Sequence, residues 1–232
     1  MVRIAFPVAI SIVIPVINES DHLAKTLTIV HTAADVEVIV VDGGSEDDTV
    51  QIAQAFGVVV IQSQPGRAVQ MNAGAAIATF PNLLFLHADT CLPIGYDWLI
   101  HATLAQPGVV AGAFDLAIAG SQIGLRLVEW GVKWRSHWLH MPYGDQGLFL
   151  KAEVFHSLGG FPNLPIMEDV VLMRRLNKLG RVAIAAAAVS TSSRRWQTLG
   201  IFKTTFVNQL MIVGYFVGIS PATLAQWYRS IK

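Results

Sequence analysis

The 232-residue sequence predicts an α/β fold with a mostly parallel central sheet, followed by C-terminal helices. Three observations carry that expectation. Mostly apolar runs at 11–16, 36–41, 58–61 and 83–86, broken only by Ser11 and Glu37, lack regular polar alternation, which is the pattern of strands covered on both faces. Helical patterns separate these runs, so the first ninety residues alternate strand and helix as βαβ units do. The first, second and fourth runs also end at a polar or glycine-bearing turn: Asn18-Glu19, Asp42-Gly43-Gly44-Ser45 and His87-Ala88-Asp89.

Composition narrows the partners. With 53% hydrophobic and 14% charged residues and a mean hydropathy of +0.51, some of the surface is expected to meet lipid or another subunit. Sixteen basic and sixteen acidic residues give no net charge, so the basic footprint of a nucleic-acid binder is missing. A single cysteine, Cys91, excludes an intrachain disulfide and a cysteine-rich metal site and suits a reducing, cytoplasmic compartment. Arg3 and the apolar run at 4–17 imitate a secretion signal. Pro7 and Pro15 interrupt that run, no small-residue cleavage site follows it, and residues 11–16 read instead as a first strand. No stretch offers about 18 uninterrupted apolar residues, so no transmembrane helix is expected.

Each element follows in order. Ser20 or Asp21 opens a helix running to about residue 34, and a second strand at 36–41 leads into Asp42-Gly43-Gly44-Ser45. Glycine there allows positive φ and close backbone approach, Ser45 is a candidate cap, and Glu46, Asp47 and Asp48 are expected in the next helix's first turn. Acids at that point repel phosphate. A nucleotide bound here would therefore set its base and ribose at Asp42 and its diphosphate elsewhere. That helix ends near Gly57, a third strand follows at 58–61, and Arg67 precedes a small-residue helix at 68–78 whose Ala73, Gly74, Ala75 and Ala76 permit tight packing.

The fourth strand delivers His87-Ala88-Asp89 to a strand tip, where open α/β sheets bind ligands. A plain turn capped by Asp89 or Thr90 is the duller alternative. A helix at 96–105 and a strand at 109–118 come next. In the segment 123–140, Trp130, Trp134 and Trp138 share one helical face, a stripe most often found in cores but also suited to an acceptor site or a lipid interface. Tyr143-Gly144-Asp145-Gln146-Gly147 reads as a loop near a ligand or a tight turn, ahead of the apolar residues 148–150. Glu168 and Asp169 begin a helix ending at Gly180, where acids ordinarily serve the macrodipole. A strand at 182–189 runs into Ser192-Ser193-Arg194-Arg195-Trp196, in which paired arginines can grip a diphosphate. The tail at 199–232 reads as two helices split at Gly218 to Pro221, with 206–219 suited to a core, a dimer or a membrane interface.

Taken together, this ordered set resembles glycosyltransferase family 2, inverting enzymes with a GT-A fold. The likeness rests on Pro15-Val16-Ile17-Asn18-Glu19, Asp42-Gly43-Gly44-Ser45 with Asp48-Thr49, and Gly66 through Asn72 to Gly74. It continues with His87-Ala88-Asp89, Gly144-Asp145-Gln146-Gly147, Glu168-Asp169 and Arg195-Trp196, so it extends over about residues 10–197. It implies a GT-A-like single domain over 1–198, with a Rossmann-like nucleotide-binding half at about 10–90 and an acceptor half at about 91–198. The implied reaction moves a sugar from a nucleoside diphosphate donor to an acceptor hydroxyl with inversion.

Residue by residue, the resemblance implies that Pro15, Glu19 and Asp42 line the nucleoside pocket, that Asn72 closes it, and that Asn18, Gly43 and Gly44 belong to the nucleotide-sugar site. Arg67, His87, Ala88, Arg194, Arg195 and Trp196 would join the nucleotide-sugar site. Asp89 would hold a divalent metal, Mn2+ or Mg2+, and Asp169 beside Glu168 would be the general base. Gly144, Asp145 and Gln146 would face a sugar or lipid-linked acceptor. The C-terminal helices leave a peripheral contact on the inner face of the membrane or a homodimer open. Three positions depart from the family pattern: His87 replaces the first acid of the Asp-x-Asp element, Met71 stands where arginine is common, and Ser192 where glutamine often precedes Arg-Trp. A sugar-nucleotide pyrophosphorylase would need a basic glycine-rich loop after the first strand, which is missing. A noncatalytic membrane-associated scaffold is the other rival, and no G-x-G-x-x-G supports a dinucleotide site.

Overall fold

This computed structural model describes residues 9–231, apart from the side chain of Arg195. Arg3 and Pro7, and with them the first five residues of the signal-like run, 4–8, fall outside the described residues. The first part of the chain alternates strictly: β1 (Ile10–Val16), α1 (Ser20–Val30), β2 (Val36–Asp42), α2 (Thr49–Ala55), β3 (Val59–Gln62), α3 (Arg67–Ile77) and β4 (Asn82–Phe85). There follow β5 (Thr90–Cys91), α4 (Tyr96–Leu104), β6 (Val109–Ile118), α5 (Ile123–Trp138), β7 (Leu148–Lys151) and α6 (Ala152–Ser157). The chain continues through α7 (Glu168–Leu179), β8 (Arg181–Thr191), α8 (Arg194–Leu199), α9 (Ile201–Phe216) and α10 (Pro221–Ser230).

The strands form one sheet in the order β3-β2-β1-β4-β7-β6-β8-β5. β1 to β4 are mutually parallel, β7 runs against both β4 and β6, and β8 is parallel to β6. Parallel strands covered on both faces explain the mostly apolar runs. In β1, Ile10, Ile12, Ile14 and Val16 pack to one side with Leu23, Leu27 and Val30 of α1, whereas Val13 packs to the other with Ile39, Val41 and Met71. Successive side chains leave opposite faces of the strand, and here each face meets its own helix layer. α3 lies unusually close to the sheet, since a Cβ on Gly74 would collide with Val13 Cγ1 and sit 2.9 Å from Val41 Cγ2.

Several local expectations are corrected. α1 stops at Val30, short of residue 34. Ser45 does not cap α2; the helix starts at Thr49 with Asp48 at its N-cap, so Glu46 and Asp47 belong to the preceding loop. Neither Asp89 nor Thr90 caps α4, whose N-cap is Gly95 at φ 72°. Trp130, Trp134 and Trp138 are exposed, not packed in the core. The helix at 201–216 is two-sided: Val207 and Met211 are buried while Phe202 and Phe206 face outward. Met211 and Leu224, from α9 and α10, join Met167 and Val170 in a third apolar cluster, which fastens the C-terminal helices over the start of α7. Among the described residues no helix is long and apolar enough to cross a membrane.

Candidate active site

β1 and β4 run parallel and end on the same edge of the sheet, where a crevice of about 790 Å³ opens. Pro15 and Glu19 line it from the end of β1, and His87, Ala88 and Asp89 from the end of β4. Gly66, Arg67 and Gln70 contribute from α3, Asp145 from the loop before β7, and Glu168 and Asp169 from the first turn of α7. Arg194 and Trp196 border it from α8, and α9 and α10 add Asn208 and Tyr228. Most of the expected site residues thus meet in one place, although they come from segments far apart in sequence.

Others do not reach the crevice, and each has an internal partner. Asp42 is buried and turned into its own loop, accepting the backbone N–H of Gly44 at 3.0 Å and of Ser45 at 3.1 Å. Asn18, at φ 53°, donates its backbone N–H to Ser45 Oγ and accepts that of Glu46 at Oδ1, each at 2.9 Å. It ties the β1–α1 loop to the β2–α2 loop. A Cβ on Gly43 would meet Gln70 at 3.0 Å, so glycine leaves room for the amide that donates to the carbonyls of Val16 and Val41, at 2.8 Å each. Gly44 holds φ 101°, a conformation that side chains rarely adopt. Asn72 clamps the backbone of Phe161, donating to its carbonyl at 2.8 Å and accepting its N–H at 2.9 Å. Gln146 is fully buried, receiving bonds from Arg135, Ser136 and the Tyr143 backbone and donating to the carbonyl of Phe114. These residues hold loops in place. The Arg195 side chain lies outside the described residues.

Three side chains that line the crevice differ. His87 Nε2, Asp145 Oδ1 and Trp196 Nε1 are buried without a hydrogen-bond partner. A buried polar atom without a partner costs about 1–3 kcal/mol, and native structures carry few of them. Burial, with the Arg67 charge nearby, pushes the His87 imidazole down to about 3, so it is neutral at ordinary pH. Burial also raises the Asp145 carboxyl, and Arg135 partly offsets this. The Glu168 carboxyl is raised by burial too, against the pull of Arg67, whose Nη1 lies 3.4 Å from Oε1.

Asp169 is oriented by two backbone donors. Oδ2 accepts the N–H of Gly144 at 2.9 Å, and Oδ1 that of Val170 at 2.8 Å. A Cβ on Gly144 would lie 3.4 Å from Asp169 Oδ2 and 3.5 Å from His87 Nε2, so the loop brings these two polar groups to one point. Met167, just before Glu168, holds φ 70°, an uncommon conformation for a non-glycine residue and one seen at functional turns. At the other end of the crevice Glu19 pairs with Arg194 at 3.3 Å; burial raises its carboxyl, Arg194 opposes that, and the charge of Asp89 adds to it.

The donor set also bears on a metal. Among the described residues no three His, Cys, Asp or Glu side chains form a cage. Among the described residues the Asp89 carboxylate accepts one hydrogen bond, a long one of 3.4 Å from Thr90 Oγ1. One weakly engaged carboxylate fits an ion whose shell is completed by phosphate oxygens and water, the usual state of Mg2+ beside a nucleotide.

Reading the chain alone missed Gln70, Arg135, Asn208 and Tyr228. Gln70 had a signal, as the polar residue on the sheet-facing side of a small-residue helix, and Asn208 had one as the interruption of an apolar run. Arg135 had none: its guanidinium lies 3.4 Å over the Tyr143 ring and braces the 141–146 loop, a contact no local pattern announces.

Comparison with known proteins follows the same lines. A family model described as Glycosyl transferase family 2 matches residues 11–159. An uncharacterized glycosyltransferase of Mycobacterium tuberculosis is 33% identical over 88 residues, which is 38% of this chain and 39% of that protein. Glycosyltransferase AglE of Haloferax volcanii is 33% identical over 113 residues, 43% of this chain and 36% of AglE. The chain thus matches well under half the length of these relatives. Among solved structures, mannosyltransferase PcManGT from Pyrobaculum calidifontis, in complex with GDP-Man and Mn2+, superposes at TM-score 0.61 with 20% identity over 79% of this chain and 56% of that one. TarS of S. aureus in complex with UDP-GlcNAc gives TM-score 0.64 with 16% identity over 79% and 58%. These likenesses concern the fold.

Proposed function

This chain belongs to glycosyl transferase family 2, and we propose that it transfers a sugar from a nucleoside diphosphate donor to the hydroxyl of a sugar or lipid-linked acceptor, with inversion at the anomeric carbon. The observation that carries this reading is the set of unpartnered polar atoms of His87, Asp145 and Trp196 around a crevice that also presents Asp89 and Asp169. Such groups are satisfied when a polar ligand fills the space between them. GDP-Man and Mn2+ in PcManGT, a protein of like fold, support the choice of ligand class.

In this reading the donor's nucleoside lies along Pro15 and Glu19, and its diphosphate between Asp89 and Arg194. Departure of the nucleoside diphosphate builds negative charge, which the guanidiniums of Arg194 and Arg67 stabilise electrostatically. Asp89 would hold a divalent cation, which supplies further charge neutralisation on the diphosphate when bound. Asp169, its two oxygens fixed by the Gly144 and Val170 amides, takes the proton from the acceptor hydroxyl as that oxygen attacks from the face opposite the leaving group. Asp145 and neutral His87 orient the acceptor. Glu168 anchors Arg67.

The reading is tested by incubating the chain with UDP, GDP and dTDP sugars in the presence of Mn2+ and following nucleoside diphosphate release. The anomeric proton of any sugar passed to water is recorded by NMR. Turnover of one donor is expected, with an α-linked donor releasing the β-sugar first. Release no faster than buffer for every donor would favour the noncatalytic scaffold instead.

A further inference from the structure

The walls of the crevice carry a second feature on their outer sides. α5 lines the cavity with Val128 and Val132, yet its opposite face exposes Ile123, Leu127, Trp130, Trp134 and Trp138. These are spaced four, three, four and four apart, so they form one narrow stripe. α9 repeats the arrangement: Asn208 and Met211 face the crevice while Phe202, Phe206, Leu210, Val213 and Val217 at its end face outward. The stripes are well exposed, with Trp138 at 74% and Phe202 at 86%. The two helices meet where a Cβ on Gly124 would touch Ile201 at 2.9 Å, so both stripes start at one crossing, at Ile123 and Phe202.

Charge distinguishes the partners that would cover this face. Every Asp and Glu in the chain lies at or before Asp169, whereas nine of the sixteen Lys and Arg residues follow it. The zero net charge therefore conceals a strongly cationic C-terminal quarter. α9 and α10 contain Lys203 and Arg229 and no acid. The single acid of α5, Glu129, is taken by Arg126 at 3.0 Å and by the Ile118 backbone, and Asp115 of β6, which α5 packs against, is met by Lys133 at 3.7 Å and His137 at 2.9 Å.

We propose that the outer faces of α5 and α9 dock the protein on an anionic lipid surface. Aromatic and aliphatic side chains in a stripe flanked by Lys and Arg are the composition of helices that lie in the bilayer interface. Each helix is 16 residues long, about 24 Å at 1.5 Å per residue, which is too short to span some 30 Å of hydrocarbon. A second copy fits less well. A two-fold dimer sets the same patch against itself, so a face whose α9 carries Lys203 and no acid would meet a second face of the same charge, whereas lipid phosphates supply the opposite charge. Docking by these faces is independent of the transferase reading, because it is measured without turnover.

The test is co-sedimentation of the intact chain with vesicles of phosphatidylcholine alone and of equimolar phosphatidylcholine and phosphatidylglycerol, at low and raised salt, with tryptophan emission recorded alongside. Binding to the anionic vesicles is expected to exceed binding to phosphatidylcholine by roughly tenfold or more, to weaken in salt, and to shift the emission to the blue. Combining Trp130→Gln, Trp134→Gln and Trp138→Gln should remove the binding. Because these side chains are exposed, the melting curve should stay close to the parent's. Should that variant fail to fold, Lys203→Gln alone is expected to lower affinity for anionic vesicles roughly fivefold. Equal binding to both vesicles would overturn the proposal, as would no binding to either. A salt-insensitive dimer dissociated by the tryptophan substitutions would assign the face to self-association instead.

Discussion

Two regions at the edge of the sheet that holds the crevice treat their polar residues in opposite ways. Around the ends of β1 and β2, Asn18, Asp42 and Gln70 are saturated by backbone groups of neighbouring loops. On the side built from the tip of β4, the Gly144–Gln146 turn and the start of α8, His87, Asp145 and Trp196 retain buried atoms with no partner. Both sets consist of polar side chains near the carboxyl edge of the sheet, and residue type does not separate them. Their partners do. A saturated polar group holds the shape of a site, whereas an unsatisfied one still has a hydrogen bond to make.

The sharpest way to break this comparison is at Asp169, which touches the unsatisfied side. Asp169→Asn should lower turnover by about 10² to 10⁴ while donor affinity is retained, since a general base acts in the chemical step. Steady-state kinetics beside donor titration checks this, and near-normal turnover would remove Asp169 from the role.

A smaller effect is expected on the saturated side. Asn72→Ala removes both hydrogen bonds to Phe161 and should cost about 1–3 kcal/mol in urea unfolding, because the Phe161 amide and carbonyl lose their partner. Donor affinity in the folded fraction should be unchanged, since Asn72 does not line the crevice. Loss of donor binding without loss of stability would reverse its assignment as a clamp.

His87 sharpens the comparison through pH. Its folded value of about 3 lies below the ordinary 6.5, so the unfolded chain takes up the proton first as pH falls. Its contribution to stability is therefore fully present above about 6.5 and is lost as pH falls from there towards 3. The decline of the urea midpoint over that window should be shallower in His87→Gln than in the parent. The smallest effect belongs to the rim. Arg194→Ala should change stability by under about 1 kcal/mol, because the Arg194–Glu19 pair is half exposed and screened.

Much of the fold was legible because its strands are long or apolar. β6 at Val109–Ile118 and the split between α9 and α10 lie where hydrophobic pattern and glycine-proline punctuation set them. The two-residue β5 and the six-residue α6 and α8 are too short to develop a period. Around the crevice, residue type pointed to the carboxyl edge of the sheet, where the cavity lies, but did not report orientation. Asp42, Asn72 and Gln146 were expected beside ligand, yet each turns to a partner within the protein, 89 residues away in the case of Asn72. Orientation depends on loops brought together only by the complete sheet. The tryptophans of α5 show the same limit in reverse: their spacing defined a stripe but not which side of the helix the rest of the chain would cover.

The most direct test of the central claim is calorimetric titration of UDP, GDP and dTDP into the intact chain and into Asp89→Ala, each with and without Mn2+. Saturable binding of one nucleotide is predicted, strengthened by Mn2+ in the parent and not in the variant. Absence of binding by all three, or an equal gain from Mn2+ in Asp89→Ala, would contradict the account.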